Sequence, residues 1–142
     1  MDYALLISTS LPENPNAPPA AILSNERNII GRHGAIKMDT SKTHEVSKKH
    51  AIVHRQITND QITWEIEDKK SLNGTFLNAK KIKKHRLQDG DEVVFGGGSC
   101  FIYGDEIMST NLAQCRYLFV LPEPPIVFSE TSNKDITLLP ID

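Results

Sequence analysis

Apolar residues along this chain come in short runs divided by polar punctuation, and the rhythm within the runs is that of strands. In Ile62 to Glu67, Ile62, Trp64 and Ile66 alternate with Thr63, Glu65 and Glu67, a period of two with one buried face. Ala51 to Gln56 precedes that strand, and the Asn-Asp pair of Thr58-Asn59-Asp60 between them suits a hairpin turn. Tyr3 to Ser8, Ala20 to Leu23, Arg27 to Arg32, Ala35 to Met38, Glu92 to Phe95, Cys100 to Tyr103 and Cys115 to Leu121 read as further strands. Phe76 to Ile82 reads as a hairpin with Asn78 in its turn. Pro12, Pro15, Pro18 and Pro19 exclude regular structure between the first two strands. Cys115 to Leu121 is placed to pair with the first strand and bring the two ends together. Gly104 to Gln114 has no strand pattern and leaves room for a short helix around Asn111 to Gln114.

Short strands, frequent turn signals and the lack of a long amphipathic helix predict an all-β fold, an antiparallel sandwich. The expected organisation is one domain over residues 1–121. A break at Pro122, Pro124 and Pro125 and a tail complete the chain over 122–142. With 142 residues, 39% of them hydrophobic, the chain can fill one core and no second. The formal net charge of -2 argues against a dedicated nucleic-acid binder, so any anion site must be local. Cys100 and Cys115 are too few for a disulfide scaffold and lack a C-x-x-C spacing, and reduced thiols are expected. Asp2 stands where a signal peptide wants a base, and no run approaches the roughly 18 apolar residues of a membrane span. An intracellular protein, nuclear or cytoplasmic, is expected.

Three polar signatures sit where these strands meet loops, the usual place for binding groups. Gly31-Arg32 follows the apolar Asn28-Ile29-Ile30, Ser47-Lys48-Lys49-His50 leads into Ala51-Ile52-Val53, and Ser71-Leu72-Asn73-Gly74-Thr75 precedes Phe76-Leu77. Arginine offers a planar fork of donors, serine a hydroxyl, lysine a mobile charge, and asparagine can read peptide backbone. Together they suit a phosphorylated peptide.

These three signatures, followed by Leu87-Gln88-Asp89-Gly90-Asp91-Glu92-Val93-Val94-Phe95-Gly96, resemble in order and spacing those of a forkhead-associated (FHA) domain. The similarity runs from about Asn28 to Tyr103. It implies a sandwich of about eleven strands and a phosphothreonine-dependent peptide-binding role in phosphorylation signalling, such as DNA-damage or cell-cycle signalling. It further implies that Arg32 and Ser47 contact the phosphate, that Asn73 bonds the backbone of the bound peptide, and that Gly31, His50 and Gly74 shape the loops. Lys48 stands beside Ser47 to help. Leu72 departs from the pattern, because many family members carry Ser or Thr there and leucine cannot donate to a phosphate.

Other chemistries fit less well. His50 and His54 are four apart, but His33, His44, His85, Cys100 and Cys115 show no ligand spacing, so neither a metal nor a cofactor is expected. Lys80 to Arg86 carries five Lys or Arg in seven residues and supports a rival reading as a small β-domain that binds nucleic acid. Aromatic residues make up only 6% of the chain and give few platforms for bases; the plainer reading of the run is a lysine-guarded hairpin edge. Gly96-Gly97-Gly98 lacks the Lys and helix of a phosphate-cradling loop, and no nucleophile has a base beside it, so an enzyme is not expected. Ser129, Thr131, Ser132 and Thr137 in the tail, once phosphorylated, are candidates to enter the site of a second copy and drive self-association.

Overall fold

The computed structural model describes residues 2–10, 14–40, 44–107 and 114–122. Eleven strands occur among them: β1 (Ala4–Ser8), β2 (Ala20–Leu23), β3 (Arg27–Gly31), β4 (Ile36–Lys37), β5 (Ala51–Thr58), β6 (Gln61–Asp68), β7 (Thr75–Leu77), β8 (Lys80–Ile82), β9 (Lys84–Leu87), β10 (Glu92–Phe95) and β11 (Arg116–Val120). They form a six-stranded sheet in the order β2-β1-β11-β10-β7-β8 and a five-stranded sheet in the order β4-β3-β5-β6-β9.

Alternation decides which side chains meet between the sheets. Leu6, Leu23, Phe95, Tyr117 and Phe119 of the first sheet pack with Ile30, Val53, Trp64, Ile66 and Leu87 of the second in one buried cluster. Trp64 meets Phe119 edge-on at 6.0 Å between ring centroids. Burying each such side chain contributes about 1.5–3 kcal/mol. The Tyr117 hydroxyl, at the end of a buried ring, donates to Pro18 O at 2.8 Å, which avoids leaving a polar atom unpaired.

The expected hairpins form. Asn59 and Asp60 join β5 to β6 with φ of 52° and 64°, and Asn78 and Ala79 join β7 to β8 with φ of 49° and 74°. Two successive left-handed residues are the mark of the type I′ turn, whose twist matches that of the flanking strands. Strand β11 pairs antiparallel with β1, from Leu5 opposite Val120 to Ser8 opposite Tyr117.

Three details differ from the sequence reading. The sandwich contains a two-residue parallel pair, with Ile30 opposite Ile36 and Gly31 opposite Lys37, because the turn after β3 lays β4 back along the same strand. Cys100 to Tyr103 is not a strand. There Gly98 and Gly104 take positive φ, Phe101 docks edge-on against Phe76 at 5.5 Å, and Lys81 Nζ donates to Phe101 O at 2.8 Å. The third is β9, a true edge strand within the lysine run, with Leu87 opposite Trp64 in the core register. The suggested helix at Asn111 to Gln114 and the tail from 123 onward lie outside the described residues, apart from Gln114. Among the described residues no helix is long and apolar enough to cross a membrane.

Candidate functional site

Strand β3 ends on Gly31, and the backbone of the loop before β5 lies directly upon it. A Cβ at Gly31 would stand 2.3 Å from Lys48 O and 2.7 Å from Ser47 O, so only glycine permits the approach. The contact continues as a ladder: the Arg32 N–H donates to Ser47 O at 3.1 Å, the His33 N–H to Lys48 O at 3.0 Å, and the His50 N–H to Ile30 O at 2.8 Å. Arg32 Nε donates to Val46 O at 2.6 Å. That bond fixes the inner edge of the guanidinium and leaves the four terminal N–H groups for another acceptor.

His50 is fully buried and ties two loops together. Its Nδ1 accepts from the Ser47 N–H at 3.0 Å, so Nε2 carries the proton and donates to Gly74 O at 2.8 Å. Phe95 packs against the ring edge-on at 5.9 Å. Burial pulls the imidazole pKa below its usual value, against the opposing pull of the Gly74 carbonyl and the charge of Asp68. His50 thus links the backbone of Ser47 to that of Gly74. His54, four residues on, instead pairs with Glu67 through Nε2 to Oε1 at 2.9 Å.

The 71–74 loop is held from below by the buried Asp68. This carboxylate accepts from the Ser71 N–H at 3.1 Å and from the Thr75 hydroxyl at 2.7 Å, and the Gly74 N–H donates to Ser71 Oγ at 3.1 Å. Above it, the Leu72 N–H donates to Ser47 Oγ at 3.2 Å, and Asn73 Nδ2 donates to Glu45 O at 3.0 Å. Asn73 O in turn accepts the N–H groups of Gly97 and Gly98 at 2.8 and 3.0 Å, while the Gly96 N–H donates to Gly74 O at 2.8 Å.

The fold thus brings Gly31, Arg32, Ser47, His50, Leu72, Asn73 and Gly74 into one hydrogen-bonded group of loops. Lys48 joins through its backbone carbonyl, and its side chain is exposed. The Leu72 side chain is 73% exposed, so at this position the loop uses its backbone. The sequence reading missed Asp68 and the glycine run. Asp68, three residues before Ser71, is a recognisable side-chain-to-backbone turn signal, whereas Gly96-Gly97-Gly98 is weighed in the sequence only against a phosphate-cradling loop.

The Lys80–Arg86 run lies on β8 and β9, which are outer strands of the two sheets, and touches the loop group only at Lys81, whose Cε would stand 3.1 Å from a Cβ at Gly74. Lys84 pairs with Glu65 at 3.5 Å, and Lys81 is held at Phe101 O with its ammonium 5.6 Å from the Tyr103 ring centroid. Among the described residues no three His, Cys, Asp or Glu side chains gather closely enough to hold a metal ion.

Comparison with known proteins agrees with this fold. The model of the FHA domain family matches residues 28–96. Among solved structures, the FHA domain of the CT664 protein from Chlamydia trachomatis is similar at 18% identity, over 85% of this chain and 99% of that chain, with a TM-score of 0.56. A domain solved in work on phosphothreonine-dependent FHA domain interactions is similar at 18% identity, over 87% of this chain and 100% of that one, with a TM-score of 0.54. EmbR of Mycobacterium tuberculosis, solved in complex with a low-affinity phosphopeptide, is similar at 20% identity over 84% of this chain and 24% of EmbR, with a TM-score of 0.53. At such identities the likeness is one of fold. No curated protein sequence matches the chain.

Proposed function

From the membership of residues 28–96 in the FHA domain family, we propose that this protein is a phosphothreonine-dependent peptide-binding module, not an enzyme, and that it mediates protein–protein contacts in phosphorylation signalling such as that of DNA damage or the cell cycle. The observation that carries this reading is the interlock of the loops. Arg32 is fixed through Nε at Val46 O, and Ser47 Oγ already accepts from the Leu72 N–H, so that the terminal guanidinium N–H groups and the Ser47 hydroxyl proton remain for an anion. Those groups hold the phosphate, with Lys48 as a mobile second charge. Asn73 keeps one amide N–H and its carbonyl oxygen beyond the bond to Glu45 O, the two groups needed to pair with an extended peptide backbone.

Threonine is favoured over serine because its methyl contributes about 0.8 kcal/mol when buried and its β-branch restricts the rotamer. Titration calorimetry with matched peptides tests the assignment. Phosphothreonine should bind roughly tenfold tighter than phosphoserine. Arg32→Ala should lose about 2–4 kcal/mol of binding, thirtyfold or more, in a protein that still folds, its melting temperature lowered only by the lost bond to Val46 O. Wild-type affinity in the folded Arg32→Ala protein, or equal affinity for the two phosphopeptides, would remove the proposed site.

A further inference from the structure

On the flank of the loop group, past the turn that follows β3, lies an open cleft of about 360 Å3 lined by Asn16, Arg32, His33, Lys37, Asp39 and His44 among others. Arg32 is the residue it shares with the loop group. Asp39, its acid, is buried and both its oxygens are occupied. Oδ1 accepts from the Thr40 N–H at 2.8 Å and the Val46 N–H at 3.3 Å, and Oδ2 is bonded by His44 Nδ1. What faces the cleft with no internal counter-charge is cationic: neither Arg32 nor Lys37 makes an ion pair among the described residues, and the exposed His33 adds ring nitrogens.

We propose that this cleft is a second anion subsite, which takes a second phosphorylated or acidic side chain of the same peptide. The proposal rests on the phosphopeptide reading of the neighbouring site. Arg32, with its terminal N–H groups free of Val46 O, forms the shared wall, and Lys37 and His33 supply the charge and donors of the second subsite. A group tethered to an already bound phosphothreonine meets the cleft at high effective concentration, so a contact too weak to bind by itself still tightens the complex. The exposed Lys37 also makes this gain sensitive to salt.

The test is calorimetry on the full chain with a phosphothreonine peptide and a series derived from it, carrying a second phosphothreonine or a glutamate one to five residues to either side. The proteins are wild type, Lys37→Ala and Lys37→Glu, each checked by thermal melting. At one or more spacings the second anion should tighten wild-type binding about tenfold. Lys37→Ala should cut that gain to threefold or less while affinity for the singly phosphorylated peptide stays the same. If glutamate reproduces the gain, the subsite reads acidic residues in general; if only phosphate does, it reads a doubly phosphorylated partner. A series with no gain at any spacing overturns the proposal, as does a gain that survives Lys37→Glu. Failure of wild-type protein to bind the singly phosphorylated peptide would overturn the phosphothreonine reading itself, and the second subsite with it.

Discussion

Ser47 Oγ accepts a hydrogen bond from the Leu72 backbone, and a hydroxyl that accepts still has one proton to give. The leucine side chain above that bond is 73% exposed, so replacing it removes little packing. Leu72→Thr should add a hydroxyl beside the anionic oxygens for one more charge-assisted hydrogen bond, worth roughly 1.5–3 kcal/mol at best. Affinity for a phosphothreonine peptide should rise about three- to thirtyfold, the unphosphorylated peptide should stay unbound, and Arg32→Ala should abolish the gain. Unchanged affinity in calorimetry would show that residue 72 turns its side chain away from the ligand. At this scale much of the loop group was legible. Arg32, Ser47 and Asn73 are polar residues at strand ends with a single coherent chemistry. Asp68 was not, because its value lies in bonds to Ser71 and Thr75, which exist only once the loop has closed.

The strands were read well wherever a face alternates or a turn dipeptide intervenes, as at Ile62 to Glu67 and at Asn59-Asp60. They were misread where contacts with other elements decide. Cys100 to Tyr103 has the composition of a strand, yet Lys81 and Phe76 hold its backbone and ring in a loop. Lys84–Leu87 has the composition of a surface run, yet Leu87 belongs to the core. The β7–β8 turn offers a test of turn geometry. Ala79 holds φ of 74°, where a Cβ costs about 1–2 kcal/mol, whereas glycine there would lose roughly 0.4–1 kcal/mol through the entropy of its unfolded chain. Ala79→Gly turns the pair into Asn-Gly, favoured in this turn, and should stabilise the domain by about 0.5–1 kcal/mol. Urea denaturation should show a higher midpoint at the same slope; a lower midpoint would mean that the turn carries no such strain.

His50 leads into β5 of one sheet and donates to Gly74, beside β7 of the other, so its protonation state concerns the whole sandwich. Burial lowers its pKa in the folded protein, whereas the unfolded chain titrates near the usual value of about 6.5. Between the two values the unfolded state binds more protons. Stability is therefore fully present above about pH 6.5, declines as the pH falls through that window, and levels off below the folded pKa. Protonation also removes the Nδ1 acceptor that the Ser47 N–H uses. Glu67, held below the usual carboxylate range chiefly by its hydrogen bond from His54, acts only at more acid pH. The His50 ring should titrate below 6.5 by NMR, with a lower urea midpoint at pH 5.5 than at pH 7.5. A His50 titration at or above 6.5 would contradict the tautomer and the coupling together.

Strand β11 begins beside the loop group, runs away from it, and pairs with β1 so that Leu5 lies opposite Val120. Asp2 and Pro122 therefore both stand at the end of the sandwich away from Arg32 and Ser47, where Arg55 reaches across to Asp2 O. Mechanically, the domain is a plug with its two leads on the base and its contacts on the tip. Attachment to a surface or to another protein through either lead would turn the proposed phosphate site outward, and a force applied between the leads would pull first on the β1–β11 ladder. The load path bypasses the loops of the proposed site.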